Sequence, residues 1–153
     1  MINGEGCGGV RSLAKFLNNN KRNVIFLVDR DSQSNPKSIF TPDKLRTDGF
    51  DIQKQVFFVG ADEYEDVFPD EVYERAATKF WPKHDKSPWS RQEFANLRTS
   101  TNFCDELIRL LRSNTHTNMS KPEIGRGIAR IIDKTEIPKE ILACLDEASR
   151  LAT

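Results

Sequence analysis

Asp29 and Asp31, one residue apart, have the spacing that points most directly to chemistry in this chain. They follow a continuous apolar run, Val24-Ile25-Phe26-Leu27-Val28, of the kind that forms a strand buried on both faces of a parallel sheet. On an extended chain residues i and i+2 point the same way, so both carboxylates face one side. The carboxyl end of a strand is also where open α/β sheets bind their ligands. Two carboxylates held close repel unless a cation lies between them, and hard oxygen donors of this kind suit Mg²⁺ or Mn²⁺. The same pair can instead cap a turn and stay solvated, and the spacing alone leaves both readings open.

A second acidic group repeats the arrangement. Glu63, Glu65 and Asp66 follow the apolar run Val56-Phe57-Phe58-Val59 and the turn at Gly60. If the two strands are parallel, both acidic loops lie at one edge of the sheet, where their carboxylates converge on one or two metal ions. Phosphodiester hydrolysis uses such ions to activate water and neutralise charge on the leaving oxygen. Asp66, Asp70 and Glu71 also have a plainer use, since acids favour the positive N-terminal end of the helix that Pro69 opens. Lys121 is the third element. It follows Ser120, an expected N-cap, and a cation in a first helical turn is unfavourable by about 0.3–1 kcal/mol. Beside a scissile phosphate such a lysine stabilises the charge of the pentavalent state; the alternative is a solvated surface lysine.

Other candidates carry less. The glycine-rich stretch Gly4 to Gly9, with Glu5, matches neither a P-loop nor a dinucleotide fingerprint. His84 and His116 lie in polar segments without ligand-spaced partners and receive no role. Trp81 and Trp89, beside Pro82 and Pro88, are expected to pack the junction of the two halves of the chain. Serine and cysteine nucleophiles have no evident histidine base.

The elements that must position these residues are readable from pattern. Val10, Leu13, Ala14, Phe16 and Leu17 mark a helix ended by Asn18-Asn19-Asn20. Thr41-Pro42 is an N-cap with proline at the first helical position, giving a short helix to Thr47 closed by Gly49. A helix runs from Pro69 to Phe80. The order βαβα implies parallel strands with right-handed crossovers. From Ser87 onward the pattern is helical, with capping boxes at Ser90–Glu93 and Ser120–Glu123. Pro138 falls in the first turn of a last helix carrying Ile141, Leu142, Leu145, Ala148 and Leu151. The expected fold class is α/β, a small parallel Rossmann-like sheet flanked by helices and followed by an all-helical C-terminal part. Residues 1–82 form the α/β metal-binding region, and residues 83–153 the helical region with Lys121, packed with the first as one unit.

Composition sets the frame. The chain has 153 residues, zero formal net charge, 37% hydrophobic and 30% charged residues, which is ordinary for a globular protein. No apolar run approaches the roughly 20 residues of a membrane span, and the N-terminus lacks the pattern of a signal peptide. Cys7, Cys104 and Cys144 form no CxxC pair and read as reduced thiols of a cytoplasmic protein, without a zinc site. Charge is segregated: residues 61–74 carry seven carboxylates and no Lys or Arg, and residues 98–134 carry seven basic against four acidic side chains. The first stretch suits cations and the second phosphates.

Together these segments resemble the Toprim nuclease region of the overcoming-lysogenization-defect (OLD) family of endonucleases. The similar stretches are VIFLVDRDS (24–32), FFVGADEYEDVFPDEVY (57–73), NFCDEL (102–107), SKPEIGRGIA (120–129) and IPKEI from Ile137, in order along nearly the whole chain. The resemblance implies a Toprim fold that binds two divalent metal ions, Mg²⁺ or Mn²⁺, and cuts DNA. It assigns the family's Asp-x-Asp to Asp29 and Asp31, its next acidic motif to Glu65 with Glu63 and Asp66 as close alternatives, and its catalytic lysine to Lys121. The family's first strand and its Glu-Gly-x-x-Asp motif are expected to be missing, since Met1 falls in the glycine-rich segment that follows them; Glu5 does not fit that pattern. An ATPase domain precedes Toprim in the family, and no Walker motif occurs here.

Three functions follow as expectations. The first is metal-dependent DNA cleavage by Asp29, Asp31, Glu65 and Lys121. The second is an incomplete Toprim module that binds DNA or an ATPase supplied in trans, with an open sheet edge that also favours a homodimer. The third, a phosphatase of the haloacid dehalogenase type, is disfavoured by Gln33, where such enzymes prefer Thr or Val. None involves a membrane.

Overall fold

A computed structural model describes residues 7–100 and 102–152, with side chains from residue 9 onward. Glu5 and most of the glycine-rich stretch lie outside the described residues. The elements in order are α1 (Cys7–Asn19), β1 (Phe26–Asp29), α2 (Pro42–Thr47), α3 (Ile52–Gln55), β2 (Val56–Val59), α4 (Asp70–Phe80), α5 (Arg91–Ala95), α6 (Phe103–Asn114), α7 (Lys121–Ala129) and α8 (Lys139–Ala152). The fold is mostly helical with a two-stranded parallel sheet, compatible with the expected α/β class. Among the described residues no helix is long and apolar enough to cross a membrane. The chain forms two compact units, Met1–Tyr64 with Lys139–Thr153, and Glu65–Pro138.

In the first unit β1 and β2 pair in the register Phe26↔Val56 to Asp29↔Val59. The ladder cannot start earlier, because α3 occupies the chain up to Gln55. Val24 and Ile25 therefore lie ahead of the strand, although the apolar run includes them. One face of the sheet packs on a core of Ala14, Phe26, Val28, Leu45, Phe50 and Val56; Phe26 meets Phe50 edge-on at 4.8 Å. Helix α8 packs against β1 and β2. Burial in β1 nonetheless alternates, and Leu27 is 40% exposed. The expectation of a strand buried on both faces is thus corrected, since an apolar run does not reveal whether both faces find cover. Asp48 fastens α1 to α2, accepting from Arg11 Nε at 2.5 Å and Lys15 Nζ at 2.9 Å. Those two cations hold its carboxyl below the ordinary value.

Local signals explain the helix ends. Thr41 Oγ1 accepts from the Lys44 N–H at 3.4 Å, and Gly49 closes α2 with φ +87°. In the second unit the Glu93 carboxylate accepts from the Ser90 N–H at 2.9 Å, one arm of a capping box. Ser120 Oγ accepts from the Glu123 N–H at 3.4 Å. The core of this unit is aromatic. Tyr73 lies among Phe68, Phe94 and Phe103, with ring centroids 6.5, 6.0 and 5.6 Å away. Trp81 and Trp89 belong to the same core, and the Trp89 Nε1–H donates to the Trp81 carbonyl at 2.7 Å.

Candidate functional site

Because β1 and β2 are parallel, the segments leaving them emerge side by side. Asp29 ends β1, and its Oδ1 accepts from the Tyr64 N–H at 2.8 Å. The Asp31 N–H donates to the Asp62 carbonyl at 2.9 Å. Between them Arg30 reaches across to the other strand exit, its Nε donating to the Gly60 carbonyl at 2.6 Å. Gly60 has φ +86°, a conformation that glycine adopts without a Cβ clash. The first unit thus joins the Asp-x-Asp segment to the start of the acidic loop.

The chain does not remain extended through Asp31, however. It enters a 3-10 turn over Arg30–Gln33, so the same-side argument from strand geometry stops at Asp29. Asp31 instead faces a local partner, the Ser32 hydroxyl at 3.4 Å from its Oδ1. Ser32 is buried and its Oγ accepts from the Ser38 hydroxyl at 2.9 Å. A carboxylate has about four lone-pair directions, so the Ser32 contact leaves Asp31 with capacity to coordinate a cation.

In the second unit Glu65 is the focal residue. It is 6% exposed, one of four buried polar or charged residues among those described. Burial of a carboxylate costs several kcal/mol unless a charge or donors compensate. Lys121 Nζ stands 3.7 Å from Glu65 Oε2. Lys121 occupies the first turn of α7, as expected from Ser120. The position that opposes the helix dipole is therefore one where the ammonium faces a buried acid.

The supporting contacts come from α4. The Tyr73 hydroxyl donates to the Glu65 carbonyl and fixes the backbone of the acidic turn. Burial pushes this phenol well above its ordinary value, with the Arg98 charge opposing and the Glu65 charge reinforcing the shift, so it stays a donor. Helix α7 packs on α4. Gly127 permits the approach: a Cβ there would lie 3.3 Å or less from three atoms of the Trp81 ring. Arg98 secures the rest of the turn, donating to the Asp66 carbonyl at 2.5 Å, to the Phe68 carbonyl, and to Asp70 Oδ1 at 2.9 Å. Its guanidinium lies 4.2 Å over the Phe103 ring. Acidic and basic stretches that the sequence sets apart are thus matched within one unit, Glu65 to Lys121 and Asp70 to Arg98.

Among the described residues one group of side chains has the composition of a metal site. Within the second unit, the Glu65 carboxylate and the Cys104 thiol, both buried, offer ligand atoms within 4.8 Å of one another. Carboxylate oxygens fit hard divalent ions, while a thiol adds a softer donor. Cys104, Arg30, Arg98 and Tyr73 were not among the residues singled out by pattern. Cys104 and Cys144 are buried and not joined in a disulfide, and burial alone raises the Cys144 thiol. Only the NFCDEL segment hinted at Cys104.

No protein-family model, curated protein or solved structure matches this chain.

Proposed function

We propose that the chain is a divalent-metal-dependent DNA endonuclease of the Toprim type found in OLD-family enzymes. In the first unit Asp29 and Asp31 are the metal-binding carboxylates. In the second, Glu65 has that role, with Glu63 and Asp66 beside it in sequence, and Lys121 steadies the scissile phosphate. The observation that carries the reading is the 3.7 Å approach of Lys121 Nζ to buried Glu65. Each residue is of the type this chemistry needs, one an acid after a strand and one a cation in an unfavourable helical position. Bound Mg²⁺ or Mn²⁺ would supply water activation and charge neutralisation. The chain's own residues hold the ions and, through Lys121, place positive charge where the phosphate gains negative charge.

A second reading is a Toprim module completed by a further strand or by a partner ATPase, and the exposed Leu27 on a sheet of two described strands favours it. Nicking of supercoiled plasmid by the purified chain with Mg²⁺ or Mn²⁺, beside Asp31→Ala, separates the two. Metal-dependent nicking lost in the variant supports the nuclease. Absence of nicking, or equal nicking by the variant, supports the incomplete module.

A further inference from the structure

In the second unit, Lys83 and Thr115 form an antiparallel bridge between the segment after α4 and the segment after α6. The His84 N–H donates to the Asn114 carbonyl at 2.9 Å beside it. Successive residues of an extended chain face opposite sides, so the residues that follow the two bridge partners, His84 and His116, emerge on a common side. Their rings meet there. His84 Nδ1 lies 3.0 Å from His116 Nε2, and the ring centroids are 4.0 Å apart at 72°. Both residues are exposed.

We propose that His84 and His116 form a bidentate site for a borderline transition-metal ion of the Zn²⁺, Ni²⁺ or Cu²⁺ class, independent of the acidic residues. Neutral imidazole is a preferred ligand for these ions. Two nitrogens each about 2.0–2.1 Å from one ion, at 90–109° to each other, stand about 2.9–3.4 Å apart. The 3.0 Å separation falls within that span. The backbone bridge therefore already holds the rings at chelating distance, and binding needs only that they turn to aim their lone pairs at a shared point.

Protons balance without gain or loss. In the hydrogen-bonded pair one ring nitrogen carries the proton and the other accepts it. On binding, the donating ring moves its proton to its second nitrogen, and both facing nitrogens become ligands. The nearest cation in sequence, Lys83, is paired to Glu93 Oε1 at 2.7 Å and lies over the Trp89 ring, which reduces repulsion of an incoming metal ion. Among the described residues the pair has no third His, Cys or acidic ligand atom close by, so water completes the coordination. The ion would tie the segment leading from Thr115 towards Lys121 to the end of α4.

Titration of the untagged chain with Zn²⁺, beside His84→Ala and His116→Ala, tests the site. Both substitutions are at exposed positions, and circular dichroism checks that each variant is folded. The second imidazole binds intramolecularly once the first is engaged, so either single substitution is expected to weaken one Zn²⁺ equivalent by on the order of 10²-fold. The two variants should bind alike. No Zn²⁺ binding by the wild type, or a folded variant of either kind that retains every equivalent at wild-type affinity, would overturn the proposal.

Discussion

Lys121 Nζ and Glu65 Oε2, 3.7 Å apart, link the first residue of α7 to the turn that precedes α4. The approach is built in steps. Tyr73 in α4 holds the Glu65 carbonyl, Gly127 lets α7 settle against Trp81 at the end of α4, and the first turn of α7 then carries the ammonium to the acid. Each step is a separate contact and each has its own consequence when removed.

Lys121→Met keeps most of the aliphatic stem and removes the charge. In plasmid nicking its rate is expected to fall by about 10²–10³-fold, the loss typical of one preorganised charge on a transition state. Folding stability should fall as well, because the buried Glu65 carboxylate loses a compensating charge, though solvent at the 42% exposed Lys121 side chain screens the pair and keeps the loss below that of a fully buried ion pair. A variant that unfolds early yet nicks normally would mark the lysine as structural only.

Gly127→Ala and Gly125→Ala separate helix propensity from packing within α7. Either change gains about 1 kcal/mol of intrinsic helix stability. At Gly125 nothing lies within 4 Å of the added methyl, so the gain should appear in urea denaturation. At Gly127 the methyl overlaps the ring of Trp81, which is 3% exposed, and overpacking costs about 1–3 kcal/mol. Gly127→Ala should therefore be less stable than Gly125→Ala by about 1–3 kcal/mol. Equal stability of the two variants would show that the Trp81 ring yields and that the close approach does not position α7.

Tyr73→Phe deletes one hydroxyl while leaving the ring among Phe68, Phe94 and Phe103. The Glu65 carbonyl loses its partner from α4, with an expected cost of about 1–2 kcal/mol by chemical denaturation. Unchanged stability would mean that the acidic turn is held by Arg98 without help from the tyrosine.

The parts of the fold that sequence revealed are those with sharp local signals. Thr41-Pro42 and Gly49 bracket α2, and β2 begins and ends where its apolar run does. The start of β1 was less legible, because α3 delays the partner strand and a ladder needs two strands. Position rather than residue type decided the rest. Asp31 leaves the extended line because its N–H turns to Asp62, and Arg98 looks like any surface arginine until the acidic turn folds beneath it. His84 and His116 show no ligand spacing along the chain, since an antiparallel bridge rather than a helix turn makes them neighbours. For the candidate site, Glu65 and Lys121 could be named from local chemistry, but their meeting depends on long-range packing.

The last prediction concerns acid. Arg75 grips Glu136 through two hydrogen bonds, Nη1 to Oε1 at 2.8 Å and Nη2 to Oε2 at 2.6 Å. These, followed by the Asp133 N–H, lower the Glu136 carboxyl from 4.5 to about 2. A depressed carboxylate stabilises the folded form above its unfolded value and ceases to do so as pH falls through its folded value. Wild-type melting temperature should therefore decline between pH 4.5 and about 2 with a contribution from this residue. Glu136→Gln cannot titrate there, so it should be the less stable protein at neutral pH and approach the wild type near pH 2. Both ends of the pair are partly exposed, so added salt should narrow the gap. Calorimetry across this range is the check. Stability curves of the wild type and the Glu136→Gln variant that stay parallel throughout would show that the Arg75 contact makes no pH-dependent contribution to folding.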